Sequence, residues 1–186
     1  SQGRLEVARQ ERDVMVGLAD RLRGEGIEVR GISVGSTPGM TAVDHLDGVT
    51  EARPGNYAYF DATQVALGAC EAEDCALTVW ASVVSSARDH AVVDAGALAL
   101  SKDVGHSDGR PSMGRLIEDY GAGSLREDAR LASLSQEHGV LDAPLPVGAR
   151  IRILPNHSCL TNACFDRVHA VSGEDVVDVW RVRRER

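Results

Sequence analysis

Ile27-Glu28-Val29-Arg30-Gly31-Ile32-Ser33-Val34-Gly35-Ser36-Thr37-Pro38-Gly39 is the stretch on which the fold turns. Ile27 to Val34 alternates apolar and polar residues as a strand does, and it ends in a Gly/Ser/Thr/Pro loop. Upstream, residues 4–24 place Leu5, Ala8, Val14, Met15, Leu18, Ala19 and Leu22 near helical spacing, with Gly24 and Gly26 as a stop. Downstream, Thr41 to Leu46 reads as a short helix capped by Thr41. The unit is therefore helix, strand, glycine-rich loop, helix.

Beyond Val49 the character changes. Short β-rich runs recur at 56–63, 76–86, 90–94, 150–154, 166–171 and 176–182, separated by Gly, Pro, Asp and Ser, which is the rhythm of an antiparallel sheet. The segments 103–115 and 137–148 read as functional loops rich in Gly, Pro, His and Asp. One helix–strand–loop–helix unit cannot close a parallel sheet, and a β/α barrel needs about 250 residues, so at most its last two strands fit here. The expected fold class is α+β: residues 1–62 as the C-terminal remnant of a β/α barrel, and 63–186 as a mostly antiparallel β-domain.

Composition removes several functions. Lys and Arg number 20 against 28 Asp and Glu, a formal charge of −8, with basic clustering only at the C-terminus, so nucleic acid is not an expected partner. No apolar run approaches the roughly 20 residues needed to cross a bilayer, and no signal pattern opens the chain, so a cytoplasmic location without membrane contact is expected. Four cysteines form two C-x4-C pairs, Cys70/Cys75 and Cys159/Cys164. They suit a four-thiolate zinc site, two disulfides, or reduced thiols of which at least two are buried or free.

Three places carry candidate chemistry. The loop Gly35-Ser36-Thr37-Pro38-Gly39 precedes a helix, where backbone N–H groups and hydroxyls hold anions; an ordinary strand-to-helix turn has the same sequence. A second corner, Glu51-Ala52-Arg53-Pro54-Gly55-Asn56-Tyr57, would converge on the same anion if the two corners end adjacent parallel strands, with Tyr57 adding a donor. The bland reading there is a Pro54-Gly55 turn. In Leu154-Pro155-Asn156-His157-Ser158-Cys159, a histidine and a cysteine two residues apart on an extended segment face one side and can share a borderline-soft metal such as Zn²⁺. A surface histidine beside a buried cysteine is the alternative. His138 sits in a loop context that suits a polar role, whereas His45 and His90 read as surface residues.

Taken in order, these motifs resemble the C-terminal half of the D-threonine aldolase and D-serine dehydratase family, pyridoxal-phosphate enzymes with an alanine-racemase-like barrel and a β-rich domain. The match rests on Gly35-Ser36-Thr37-Pro38; Glu51 to Tyr57 with Asp61; Asp94-Ala95-Gly96 with Ser101 and Asp103; Glu137-His138-Gly139; and Pro155-Asn156-His157-Ser158-Cys159. The resemblance implies that Ser36, Thr37, Gly55, Asn56 and Tyr57 hold the phosphate of pyridoxal phosphate. It also implies that His157 and Cys159 hold a divalent metal, zinc in the dehydratase type.

The implied reaction is metal-assisted lyase chemistry on D-β-hydroxy amino acids, with D-serine dehydration to a keto acid and ammonia favoured over D-threonine aldol cleavage because Cys159 stands where the aldolase type has Asp. The family's lysine, which forms a Schiff base with the cofactor, lies near the start of the barrel. Lys102 is the only lysine of this chain and does not match that position, so no catalytic residue is assigned here. The expectation is a C-terminal fragment, inactive alone, partnered by a missing N-terminal barrel half and, by resemblance, by a second copy in a homodimer. The alternative is a non-catalytic β-rich assembly domain.

Overall fold

The computed structural model describes residues 2–107 and 109–184 and divides into two compact units, Ser1–Ala58 with Leu67–Ala69, and Tyr59–Ala66 with Cys70–Arg186.

The first unit comprises α1 (Gln2–Gly24), β1 (Ser33–Val34), α2 (Thr37–Met40) and β2 (Glu51–Ala52). β1 and β2 pair in parallel, Ser33 with Glu51 and Val34 with Ala52, so the two glycine-rich corners do follow adjacent parallel strands. The ladder is much shorter than the alternation from Ile27 implies, because β2 is its only partner among the described residues and offers two residues. Ala19, Ile32 and Val34 form a small core with Val16, Val29, Met40, Leu46 and Val49 around them. α1 buries Ala8 and Ala19, yet Val7, Val14 and Leu18 stay exposed on it. The helix after the loop begins four residues earlier than the sequence reading placed it. Ser36 is its N-cap, accepting from Gly39 N–H at 3.3 Å, Pro38 sits in the first turn, and Thr41 is the C-cap rather than the N-cap.

The second unit begins with α3 (Ala62–Ala66) and a 3₁₀ turn (Ala72–Asp74), followed by β3 (Val79–Ser86), β4 (Ala91–Val93), α4 (Ala97–Leu100), β5 (Gly105–Ser107), β6 (Arg110–Ser112), β7 (Arg115–Asp119), β8 (Ser124–Leu125), β9 (Leu131–Leu134), β10 (Gly139–Leu141), β11 (Arg150–Leu154), α5 (Ser158–Ala163), β12 (Arg167–Ser172) and β13 (Asp175–Arg181). Seven strands form one antiparallel sheet in the order β8-β7-β11-β3-β4-β10-β9.

Its core follows the period of two. Val79, Ala81 and Val83 of β3 point inward while Trp80 and Val84 point out, and Ile151 and Ile153 of β11 join Leu116, Leu131 and Leu141 inside. The run 56–63 is not a strand: Phe60 turns through a positive φ of 51° and Asp61 accepts from Gln64 N–H, starting α3 instead. The expected loop 103–115 contains the β5–β6 hairpin, and 137–148 contains β10. β12 and β13 form a separate hairpin on which every residue of β13 is exposed.

Asp142, just past β10, ties that strand to β9: it accepts from Arg130 N–H at 2.7 Å and from the Arg130 guanidinium at 2.9 Å. Burial pushes this carboxyl up, but Arg130 and Arg110 outweigh it and hold its pKa below the usual carboxylate value. A folded-state pKa below the unfolded one stabilises at neutral pH and loses that stabilisation as pH falls through the folded value. Asp142→Asn should therefore be less stable than the parent at pH 7 and converge on it in acid, read from urea midpoints between pH 7 and about pH 3.

Candidate metal and cofactor-phosphate sites

The segment after β11 is held from three directions. Asp61, 1% exposed, accepts Ser158 N–H on one carboxylate oxygen and Gln64 N–H on the other, both at 3.0 Å. Ala62 N–H donates to Pro155 O at 3.0 Å, and Thr63 Oγ1 donates to Asn156 O at 2.7 Å. Asn156, itself 3% exposed, sends its side-chain amide to the carbonyls of Asp103 at 2.8 Å and Ser112 at 2.7 Å. A Cβ on Gly105 would lie 2.6 Å from Asn156 Oδ1, so only glycine lets β5 approach this closely.

His157 and Cys159 are therefore presented on a rigid corner, but not on the extended segment expected from sequence. His157 is extended (φ −141°, ψ 97°) and is the N-cap of α5, while Cys159 lies in the first helical turn, where alternation no longer decides which way a side chain faces. The reason is local: the Ser158 amide bonds Asp61 and Thr161 N–H bonds His157 O, which winds the chain immediately after the histidine. His157 is half-buried and its Nδ1 lies 3.1 Å from Asp103 Oδ2; Cys159 is exposed.

An imidazole whose one nitrogen faces a carboxylate, beside an open thiol, is donor chemistry that fits a divalent metal with positions left for water or substrate. Asp103 lies 54 residues from His157 along the chain, so no spacing argument links the two side chains.

No three His, Cys, Asp or Glu side chains gather in metal-binding geometry among the described residues, so the four cysteines do not form one site. All four are free thiols. The Cys75 thiol donates to Glu71 O at 3.8 Å, and burial pushes the pKa values of Cys70 and Cys75 up, that of Cys75 far above the ordinary thiol range.

In the first unit, Thr37 is buried and its Oγ1 accepts Asn56 N–H at 2.8 Å, which ties the two corners together. Two loop amides expected to be open to an anion are engaged inside the unit, Gly39 N–H by Ser36 Oγ and Gly35 N–H by Glu11 Oε1 at 3.0 Å. A carboxylate oxygen thus rests on the loop already. The hydroxyls of Ser36 and Thr37, with exposed Gly55 and Tyr57 beside Asn56, are a donor set that fits a phosphate.

Gly96 packs against the backbone of Gln136 to His138, and the carbonyl of exposed His138 accepts Ser135 N–H at 2.8 Å. His45 and His90 are exposed.

Residues 76–171 match the family described as "Putative serine dehydratase domain". The chain is 38% identical to a D-threo-3-hydroxyaspartate dehydratase of Delftia sp. over 94% of its length and 49% of that protein's. It is 35% identical to a D-serine dehydratase of Dictyostelium discoideum (84% and 43%) and 31% identical to a D-threonine aldolase of Arthrobacter sp (96% and 46%). It therefore spans between 43% and 49% of the length of these three relatives. The Delftia dehydratase structure superposes with a TM-score of 0.83 at 36% identity, covering 97% of this chain and 51% of the other. That enzyme is also solved as a Cys-to-Ala mutant in the metal-free form and as a His-to-Ala mutant, the two altered positions lying two residues apart. With half of its residues inside the family match and this fold, the chain belongs to the family of the D-serine dehydratases and D-threonine aldolases.

Proposed function

We propose that this chain is the metal-holding and cofactor-phosphate-holding part of a pyridoxal-phosphate-dependent lyase that acts on D-β-hydroxy amino acids in the cytoplasm, removing water from D-serine in preference to cleaving D-threonine. The observation that carries it is His157 and Cys159 on a clamped corner, with the spacing of the two positions altered in the Delftia dehydratase structures. A cysteine at the second position supports dehydration over aldol cleavage, because the altered protein is a dehydratase. Free thiols suit a reducing compartment.

When bound, a zinc ion supplies a Lewis acid at the substrate's β-hydroxyl, and pyridoxal phosphate supplies an electron sink for the α-carbon. His157 and Cys159 hold the metal through one nitrogen and one sulfur and leave coordination positions open. Ser36, Thr37, Gly55, Asn56 and Tyr57 hold the cofactor phosphate and fix its position. Asp61, Thr63 and Asn156 keep the metal corner from moving.

The lysine that anchors such a cofactor is not supplied by Lys102, which is exposed in the second unit. The chain alone is accordingly inactive and works with an N-terminal barrel half, which would cover Val7, Val14 and Leu18 of α1. A homodimer is part of the proposal, and the exposed Val177 and Trp180 of β13 are apolar surface for such contacts.

The test incubates D-serine, D-threo-3-hydroxyaspartate and D-threonine with this chain, alone and combined with the N-terminal half of the Delftia enzyme, with pyridoxal phosphate and with or without zinc. Keto acid formed only by the combination and only with zinc is expected. Aldehyde as the main product would reverse the order of the two reactions. No turnover with no cofactor bound would favour the non-catalytic assembly domain.

A further inference from the structure

A metal-binding imidazole must offer a lone pair, and which nitrogen offers it is set by what the other one bonds. At His157 the second nitrogen has a partner built for the purpose. Asp103 Oδ2 lies 3.1 Å from Nδ1, and the carboxylate has little freedom to leave. Ser101 Oγ donates to the same Oδ2 at 3.0 Å and accepts from Asp103 N–H at 3.4 Å. The Asp103 carbonyl is gripped at 2.8 Å by Asn156, the residue before His157. Two neighbours on the metal corner therefore read one residue of the 101–105 loop, one through its side chain and one through its backbone.

The loop is also strained where it serves this contact. Ser101, at the C-cap of α4, has φ +64° and ψ −167°, a conformation that a non-glycine residue adopts only with backbone strain. In return its backbone N–H bonds Ala97 O and its hydroxyl points at Asp103.

We propose that Asp103, set in place by Ser101, is the positioning residue of the metal site: it accepts Nδ1–H of His157, fixes that tautomer and ring orientation, and leaves Nε2 to the metal. This rests on the reading of His157 and Cys159 as metal ligands.

The test uses the full chain and Zn²⁺ alone, titrated against a chromophoric chelator, with His157→Ala, Asp103→Ala, Asp103→Asn and Ser101→Ala beside the parent. Imidazole ¹⁵N spectra of the metal-free proteins, taken above the ordinary histidine pKa of about 6.5, read the His157 tautomer directly. Asp103→Ala should weaken zinc by roughly 10- to 100-fold and abolish the Nδ1–H signature of His157. Asp103→Asn, which keeps an acceptor, should retain the tautomer and lose less zinc affinity, and Ser101→Ala should lose least.

If the parent binds no zinc, or His157→Ala binds it equally well, the metal reading itself is wrong and the positioning role goes with it. If His157→Ala loses zinc while Asp103→Ala keeps both affinity and tautomer, only the positioning proposal is overturned. Loss of zinc in Asp103→Ala with the His157 tautomer unchanged overturns it too, since Asp103 would then act as a ligand or through the fold.

Discussion

Gly96→Ala is expected to unfold the β-rich unit or bring it close to unfolding. A Cβ at position 96 would lie 2.5 Å from Glu137 C and His138 N and 2.6 Å from Gln136 O. All three are backbone atoms, so no rotamer change relieves the overlap. The contact also carries hydrogen bonds: Ala97 N–H and Leu98 N–H at the start of α4 donate to Ser135 O at 2.9 Å and Gln136 O at 3.1 Å, satisfying amides that a helix leaves open. Pushing the segments apart gives up those bonds along with the packing, a loss on the order of 4 kcal/mol against the 5–15 kcal/mol of a typical domain. Urea unfolding measures it. Gly17→Ala, in the middle of α1 with nothing within 4 Å of the new Cβ, should instead stabilise by up to about 1 kcal/mol. Equal midpoints for the two variants would contradict this account of the 94–96 motif.

Asp61→Ala is expected to cost on the order of 3 kcal/mol and to weaken zinc binding at the same time. The carboxylate is buried and accepts two backbone N–H bonds, one from α3 and one from Ser158 next to His157. Alanine leaves both amides short of an acceptor and frees the turn that carries His157. Asp61→Asn keeps one acceptor oxygen and should fall between. The two readouts, urea midpoint and zinc affinity, should move together; a large stability loss with zinc affinity unchanged would show that Asp61 holds the fold without holding the site.

Much of this architecture is legible in the amino-acid order, and the failures have physical causes. The run Arg150-Ile151-Arg152-Ile153-Leu154 alternates cleanly and is β11 residue for residue. β3, β4, β12 and β13 lie within a few residues of their sequence-based positions because the same alternation marks them. β9 carries no such mark: Leu131 and Leu134 are both buried at a spacing of three, across from the register shift at Val140/Leu141 in β10, so its apolar residues break the period of two. The aromatic run at Tyr57, Tyr59 and Phe60 resembles a strand by composition, but Asp61 caps a helix there.

At the site, the spacing of His157 and Cys159 predicts a shared metal on an extended segment, whereas the chain winds into a helix at Ser158, fixed by an acceptor 97 positions away. The contact of Asp103 with His157, 54 positions apart, is hidden for the same reason. Spacing along the chain reports neighbours within a turn or a strand, and these partners are brought in by tertiary packing.

The central claim, a metal held jointly by His157 and Cys159, is tested most directly by X-ray absorption at the zinc edge of the zinc-loaded chain. One sulfur at about 2.3 Å and one imidazole nitrogen at about 2.0–2.1 Å are predicted, the rest of the shell being light atoms, with the sulfur lost in Cys159→Ser and kept in Cys164→Ser. Four sulfurs around the metal, or a spectrum that Cys159→Ser leaves unchanged, would contradict it.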